Sequence, residues 1–352
     1  MTSKSMKLAA VCALLGSSMA WHAPAIAGSD ASSDTYAGDY AGGSLPTGTF
    51  LALQYAGFSR ANSFIDTSGH ELANSHASIM ETFSRFAYFA DLGGHPLVIE
   101  AELPFATLDD VNLPGTNNQV ASGLTDPVVH VTYFLISDPQ AQRWFGLTDY
   151  LYVPYGNYDN TKAINVATAH QFTDVPQVGY TEGLGKFSPA LKGFFFDLIA
   201  NASFHTDGNN PINFSLGNVA TPFGALPAAL AYDKLTQSTS YDVKAFLRYE
   251  PKPLTFVALG IEKSWGGEQI ATNGRLTVGG APAPCDPAIC GPRSLSKDDF
   301  LRGHLQFQFP LAQDFAVAAD VFHDFTRVGG FREDIGAEIR LTKFFFPQPP
   351  SR

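Results

Sequence analysis

Three polar residues near the middle of the chain have side chains of the kind that form a hydrolytic site: Ser203, His205 and Asp207. A serine hydroxyl becomes a nucleophile when a histidine accepts its proton and an acid orients that histidine. In an extended strand, residues 203 and 205 share a face, but their side chains lie about 7 Å apart, beyond hydrogen-bonding reach. The spacing therefore favours a polar strand face without catalysis, and a hydrolase remains an alternative.

The first 27 residues have the three parts of a secretory signal peptide. Lys4 and Lys7 provide the basic start, residues 8–15 provide a short apolar core, and residues 25–27 read Ala-Ile-Ala, which is a typical cleavage site. We therefore expect an exported protein that is cleaved near Ala27. An uncleaved anchor is the alternative, although this apolar core is short for a membrane span.

Cleavage there removes Cys12 and leaves two cysteines, Cys285 and Cys290, in a proline-containing stretch. In an exported chain, two cysteines predict one disulfide. A zinc site would need further ligands, and no histidine or second cysteine pair lies nearby in the sequence. The sequence also lacks a phosphate-binding glycine loop and a Gly-x-Ser-x-Gly motif. We expect a disulfide, no metal, no cofactor and no enzymatic activity.

Most other charged residues recur at every second position, which places them on strands. From residue 334 to 346, polar and apolar side chains alternate almost without a break, and the stretch ends in three phenylalanines. A period of two predicts a strand with one wet and one apolar face. The pattern recurs about a dozen times. We predict strands near residues 48–59, 76–90, 96–106, 123–136, 143–155, 171–184, 191–205, 237–250, 254–265, 299–309, 315–326 and 333–345.

The connections between these strands alternate between short and long. The long ones cover about 60–75, 107–122, 156–170, 206–236 and 266–298. Short periplasmic turns and long external loops are typical of outer-membrane barrels, whose sheet must close because lipid cannot satisfy backbone polar groups. We predict an all-β, closed antiparallel up-and-down transmembrane barrel of about 12 strands, with 10 or 14 as alternatives. A soluble periplasmic β-protein is a further alternative.

Composition narrows the class of protein further. Charged residues make up 16% of the chain, below the roughly 25% of soluble domains. The mean hydropathy of −0.01 is what strands with one polar and one apolar face would average to. The net charge is −11, whereas phosphate binding needs a basic surface, so we expect no nucleic-acid partner. An acidic wall is compatible with a pore for cations or neutral solutes.

These observations divide the chain into a signal peptide (1–27), a flexible periplasmic segment (28–46), the barrel (47–346) and a C-terminal tail (347–352). The 28–46 segment is expected to be a dangling tail, and its entry into the lumen from below is the alternative. Because a charge facing lipid is costly, charged strand residues should face the lumen. The polar residues that alternation places there are candidates for a solute path, and most of them could equally form a paired network that fills the lumen. They are Glu81, Arg85, Glu100, Glu102, Asp126, His130, Asp197, Asn201, His205, Asp242, Lys244, Arg248, Arg302, His304, Gln306, Asp320, Asp324, Glu338 and Arg340.

The long connection at 206–236 is unusually apolar for a solvated loop, with Phe214, Phe223, Leu226 and Leu230. One hypothesis is that it folds inward or over the mouth of the barrel and receives a hydrophobic solute. Packing against neighbouring loops is the alternative.

Four segments together resemble the outer-membrane family described as "putative MetA-pathway of phenol degradation". They are residues 43–50 (GSLPTGTF), 122–127 (SGLTDP), 152–159 (YVPYGNYD) and the final strand that ends in phenylalanines. Thr125 replaces a glycine of the family's pattern, and Tyr155 stands where threonine is usual. The resemblance implies an outer-membrane channel or transporter associated with uptake of aromatic compounds, and it supplies no catalytic or ligand residues.

We therefore expect a channel in the outer membrane of a Gram-negative cell that passes small, hydrophobic or aromatic compounds passively. Its expected partners are outer-membrane lipid, the solute, and the barrel-assembly machinery acting through the C-terminal strand. A plugged barrel that acts structurally or adhesively through its external loops is the first alternative, and an outer-membrane hydrolase is the second.

Overall fold

The computed structural model describes residues 35–114, 118–159, 162, 164–165, 168, 170–208, 212–221 and 224–347, and for 212–220 and 288–289 it describes the backbone alone. The predicted signal peptide and most of the predicted C-terminal tail lie outside these residues. No helix in the described ranges is long and apolar enough to span a membrane.

Twelve strands of the described chain form a closed antiparallel barrel in which each strand pairs with its neighbours in sequence. The first strand closes the barrel by pairing with both the second and the last. The predicted architecture and strand number are therefore confirmed. The strands are β1 (Phe50–Ile65), β2 (His76–Leu92), β3 (His95–Asn112), β4 (Val128–Asp138), β5 (Arg143–Tyr152), β6 (Thr173–Gly183), β7 (Phe194–His205), β8 (Ser240–Lys252), β9 (Thr255–Gly266), β10 (Asp299–Ala312), β11 (Phe315–Val328) and β12 (Gly330–Phe345).

Side chains alternate between the two faces of the barrel wall as the sequence predicts. On β9, Leu259 projects outward and is 64% exposed, whereas Glu262 is 1% exposed and faces the lumen. On β8, Leu247 is exposed outward, while Lys244 and Arg248 are buried inside. Outward apolar side chains from all twelve strands form the lipid-facing belt, which is the arrangement that hydrocarbon requires.

The connections are short at one end of the barrel and long at the other, except that Gly329 alone joins β11 to β12 at the long-loop end. Two short helices of 3₁₀ type, Leu184–Lys186 and Pro189–Leu191, form one connection at the short-turn end. At the long-loop end, short strands pair with β1, with β3 or with each other. These are Glu71–Leu72, Val120–Ala121, Gly123–Leu124 and Ile164–Asn165.

The two longest connections were expected to be loops, and they instead form one external sheet. Its strands are Ile212–Thr221, Gly224–Gln237, Gln269–Val278, Ala281–Ala283 and Arg293–Ser296. Leu230, Tyr232, Leu235 and Ala271 are buried together in its small core. An apolar segment can leave water by pairing with a neighbouring hairpin, which explains the unusual composition of residues 206–236.

Cys285 and Cys290 form the predicted disulfide, with their Cα atoms 6.0 Å apart, across the short helix Pro287–Cys290. Replacement of both cysteines by serine is expected to destabilise the external sheet by about 2 kcal/mol, since the closed loop is very short. The barrel should keep its heat stability, because its strand ladders do not depend on this hairpin. Limited proteolysis should show faster cleavage between residues 280 and 293, and unchanged cleavage with intact barrel stability would contradict this expectation.

Candidate functional site in the barrel lumen

The wall formed by β2, β3 and β4 carries a compact group of opposite charges that faces the lumen. Arg85 Nε lies 2.8 Å from Glu100 Oε1 and 3.4 Å from Glu102 Oε1. His130 lies between the same two carboxylates, at 3.3 Å and 3.0 Å, and stacks on Tyr150. Because buried charges are stable only when they are paired, this group fixes three strands to one another.

A second group joins β8 to β11 through a histidine. His304 Nε2 lies 2.9 Å from Glu262 Oε2, and its Nδ1 lies 2.8 Å from Asp320 Oδ2. Lys244 Nζ lies 3.5 Å from Glu262 Oε1, and Gln306 donates to Asp320. All five side chains are buried, so the lumen here is filled by the network and leaves little room for water.

Two further arginines complete the interior charge network. Arg302 Nε lies 2.6 Å from Asp324 Oδ1, and its Nη2 lies 2.7 Å from Glu333 Oε1. Arg248 Nε lies 3.0 Å from Asp197 Oδ2, and its guanidinium lies over the ring of Phe195. Both arginines combine an ion pair with an aromatic face, which suits a planar guanidinium in a partly dry interior.

The segment that precedes β1 lies inside the lumen, so the expectation of a flexible segment is wrong for residues 35–46. Its 3₁₀ helix, Asp39–Ser44, contacts the wall. Tyr36 donates to Glu338 at 3.0 Å, and the backbone N–H of Ala37 donates to Gln306 at 2.8 Å. Enough buried contacts form here to offset the conformational entropy that an ordered segment loses.

Arg340 attaches this lumen segment, residues 35–46, to β12. Its Nη1 lies 2.8 Å from Asp39 Oδ1, and its Nη2 donates to Gln308 at 3.0 Å. The guanidinium also lies over the ring of Tyr36, 4.2 Å from its centre. One wall arginine therefore contacts two residues of the segment through both charge and ring.

Tyr40 fills a socket made by two glycines that pair across β5 and β6. A Cβ at Gly179 would lie 2.0 Å from a ring atom of Tyr40, and a Cβ at Gly146 would lie 2.9 Å from another. The Tyr40 hydroxyl lies 2.7 Å from Thr148 Oγ1 and accepts from Gln177 Nε2 at 2.9 Å. Only glycine leaves the ring enough space at Gly179, so the wall is shaped to receive this side chain.

A cavity of about 440 Å³ lies between the lumen segment and the wall at the short-turn end. Its wall is largely apolar, and charged groups border it. The apolar side chains include Leu51, Leu53, Phe89, Val98, Phe134, Trp144, Phe195, Leu254, Phe256 and Phe344, and the charged ones include Asp39, Arg85, Glu100, Arg248, Glu250 and Arg340. The volume is within the range of small-molecule sites, so an apolar solute with a polar end fits its chemistry.

The residues predicted to line the lumen are buried inside the barrel, with three exceptions. Glu81 is on the lumen face but exposed, and His205 is only partly buried and lies 3.0 Å from Thr173 Oγ1. Asp126 is buried in the gap between Gly123–Leu124 and β4, where it accepts from Thr168 and Gly156. The predicted strand 123–136 is interrupted there because Pro127 has no N–H to give. Burial raises the pKa of Asp126.

Of the four predicted hydrophobic loop residues, the structure describes the side chains of Leu226 and Leu230, and both lie in the external sheet. Leu230 is fully buried in the core of the external sheet, and Leu226 is half-buried beside Gly279. Phe223 and the side chain of Phe214 lie outside what the structure describes. For Leu230, packing against the neighbouring hairpin is therefore the observed arrangement, and the hypothesis of a solute-receiving loop is wrong at this residue.

The sequence analysis did not predict the apolar side chains that face the lumen. Phe83 and Phe89 lie an even number of residues from Arg85 on β2, so the same period of two places them on the lumen face. Leu51 and Leu53 on β1 follow the same rule. The expectation of a polar lumen hid this signal. No local signal marked Tyr36 or the other residues of the lumen segment, because their partners lie far away in the sequence.

The family described as "Putative MetA-pathway of phenol degradation" matches residues 61–260, which is more than half of the chain. The chain belongs to this family. The family match, the closed barrel and its apolar belt all indicate the predicted outer-membrane location. In such barrels the short turns are usually periplasmic and the long loops external. A soluble periplasmic protein is excluded, because it would expose this apolar belt to water.

One solved structure shares the fold of this family member over most of its length. The COG4313 outer membrane channel from Pseudomonas putida F1 is 19% identical, covers 89% of this chain and 100% of its own, and superposes with a TM-score of 0.67. The toluene transporter TodX of P. putida is 12% identical, with coverages of 88% and 93% and a TM-score of 0.42. No curated protein is significantly similar to the chain in sequence.

Proposed function

We propose that the protein is an outer-membrane channel for the passive uptake of small hydrophobic or aromatic compounds. The observation that carries the proposal is the apolar cavity of about 440 Å³ inside the short-turn end of the barrel. The family description, which concerns phenol degradation, supports the solute class, and the COG4313 protein, described as an outer membrane channel, supports the transport role.

The cavity chemistry favours a solute with an aromatic body and a small polar end. Leu51, Phe89 and Phe256 would cover the body, and burial of apolar area is favourable. Arg85 and Glu100 lie at the border, where they could meet a hydroxyl or carbonyl oxygen. A sugar would lose water at every hydroxyl and find few replacements, which costs free energy.

This proposal assigns direct contact with the solute to only some of the residues predicted to line its path. Four of its residues border the cavity: Arg85, Glu100, Arg248 and Arg340. The others form ion pairs and hydrogen bonds elsewhere in the lumen, where they would act on a solute mainly through the electric field of the constriction. Solute would meet the external loops, pass this charged region and leave through the cavity into the periplasm.

Leu53→Trp is expected to reduce uptake of phenol severalfold, because the larger ring enters a cavity that Leu53 lines. Leu259→Trp makes the same change on the lipid face, where the side chain is exposed, and should leave uptake unchanged. The measurement is swelling of liposomes that contain the folded protein, with phenol and a disaccharide as solutes. Equal phenol uptake by both variants, both fully folded, would contradict a solute path through this cavity.

The placement of the lumen segment also favours a second candidate, a plugged barrel that acts through its external sheet. Residues 35–46 lie in the lumen against the wall, and five strands form a sheet separate from the barrel wall. Single-channel recording separates the two functions, because a sealed barrel conducts no ions. A hydrolase is disfavoured by the position of Ser203 and His205, which face the lumen; an assay of lipid hydrolysis with His205→Ala as control would test it.

The remaining expected partners are also proposals. Outward phenylalanines such as Phe58 and Phe309 would contact acyl chains of the membrane. The last strand, β12, ends in Phe345, which is half-exposed on the outer face, and we infer that this end is presented to the barrel-assembly machinery. Solute and lipid would then meet opposite faces of the same wall.

A further inference from the structure

The outer wall of the barrel carries charged side chains at its external rim. Tilted strands rise by about 2.5 Å per residue along the barrel axis, so Arg60 lies about 25 Å above Phe50, which equals the height of a typical apolar belt. Arg60 projects outward and is exposed. Its guanidinium is therefore placed at the level of the headgroups of the outer leaflet.

Arg60 has no carboxylate partner among the residues that the structure describes. Its Nε donates to Asn62 at 3.2 Å, and no carboxylate of the described residues lies within ion-pair distance. On the adjacent β12, Arg332 projects to the same face and has only long contacts, 3.9 Å to Glu71 and 3.8 Å to Asp334. The two arginines lie close together because Arg60 pairs with Ile335, and Ser63 pairs with Arg332.

The surface below this pair is apolar and exposed. Phe58 on β1, Val321 on β11 and Ile339 on β12 project outward beneath the arginines. His323 lies beside them on β11, with Nδ1 bound to the carbonyl of Asp334. The wall thus presents cationic donors above a patch suited to acyl chains, which is complementary to an anionic headgroup attached to lipid.

The same rim has a different character on the opposite side of the barrel. Asp149 on β5 and Asp174 on β6 project outward at the external end and are exposed. At the periplasmic rim, the outward Lys343 is neutralised by an ion pair with Asp314. Arg60 thus differs from Lys343, because no carboxylate of the described residues pairs with it.

We propose that Arg60 and Arg332, with His323 beside them, form a binding site for the phosphorylated headgroup of an outer-leaflet lipid. Each guanidinium can donate two parallel hydrogen bonds to one phosphate, while the acyl chains lie on Phe58 and Ile339. The inference concerns the outer face of the barrel and does not depend on the proposed transport function.

The test uses folded protein in detergent and two probes, lipid A with both phosphates and the same lipid A after dephosphorylation. Wild-type protein is expected to bind the phosphorylated form preferentially in native mass spectrometry. The double variant Arg60→Gln/Arg332→Gln should bind it about 100-fold more weakly, since a hydrogen bond to a charged group contributes roughly tenfold or more per arginine. Lys343→Gln is the matched control at the other rim and should bind as the wild type does.

Three results would overturn the inference. Equal binding of both lipids would mean that the acyl chains alone are recognised, and unchanged binding by the double variant would place the phosphate elsewhere. Competition by inorganic phosphate at the concentration of the lipid phosphate would indicate a free-anion site. If the double variant does not fold, Arg60→Gln alone decides the matter. Arg60 is exposed and hydrogen-bonds to Asn62, with no ion pair to the described residues, so its replacement should leave the barrel intact.

Discussion

Deletion of residues 35–46 is expected to raise the single-channel conductance of the barrel severalfold. These residues lie inside the lumen, where Tyr36, Asp39 and Tyr40 bind side chains of three strands, β5, β6 and β12. Their removal opens a water-filled path beside polar wall residues, and conductance follows the width of such a path. Planar-bilayer recording of the folded deletion variant provides the measurement, with folding checked by the electrophoretic shift on heating.

A single methyl group offers a more selective version of the same experiment. Gly179→Ala places a Cβ inside the ring of Tyr40 and should displace the segment, whereas a Cβ at Gly42 meets no described atom within 4 Å. Gly179→Ala is therefore expected to raise conductance toward that of the deletion, and Gly42→Ala is expected to leave it unchanged. Wild-type conductance in both the deletion and Gly179→Ala would show that the lumen is closed elsewhere. The apolar cluster near the external end, with Phe64 and Phe331, would then be the next candidate.

Arg302→Met is expected to lower the free energy of unfolding by about 3–5 kcal/mol, which is the usual cost of removing one partner from a buried ion pair. The substitution leaves Asp324, whose side chain is fully buried, and Glu333 without the cation that both now contact. The guanidinium also leaves the ring of Phe322, over which it lies at 4.4 Å. Urea unfolding of protein folded in lipid bilayers measures the change.

Arg275→Met is the matched control for this stability experiment. Arg275 forms an ion pair with Asp233 on the external sheet, and its side chain is 69% exposed. An exposed pair contributes roughly 0–1 kcal/mol, so this variant should be close to the wild type. Similar losses in both variants would mean that burial does not set the strength of the lumen network, and the account given for Arg302 would fail.

Alternation along the sequence was sufficient to predict the strands and their faces. On β10, Arg302, His304 and Gln306 are inside and Phe307 is outside, as a period of two requires. The signal is strong because lipid and water impose opposite requirements on the two faces of one strand. Closure of the barrel followed from the same physics, since an open edge in hydrocarbon would leave backbone groups unpaired.

The occupant of the lumen could not be predicted in this way. Tyr40 enters a socket that exists only because Gly146 and Gly179 pair across two strands. Asp39 pairs with Arg340, which lies 301 positions further along the chain. A glycine-rich segment has the same local composition whether it is free in water or held by such partners, so its sequence favours flexibility in either case.

The sequence by itself determined the architecture of this protein: an exported chain whose twelve alternating strands must close into a barrel with charges inside. Tertiary structure alone decided which charges pair, where residues 35–46 lie, and that an apolar cavity remains beside them. The physical reason is the range of the interactions. The face on which a side chain lies is set by that residue's own preference for lipid or water. Which charges pair, what occupies the lumen and the shape of the cavity depend on contacts between residues that are distant in the chain.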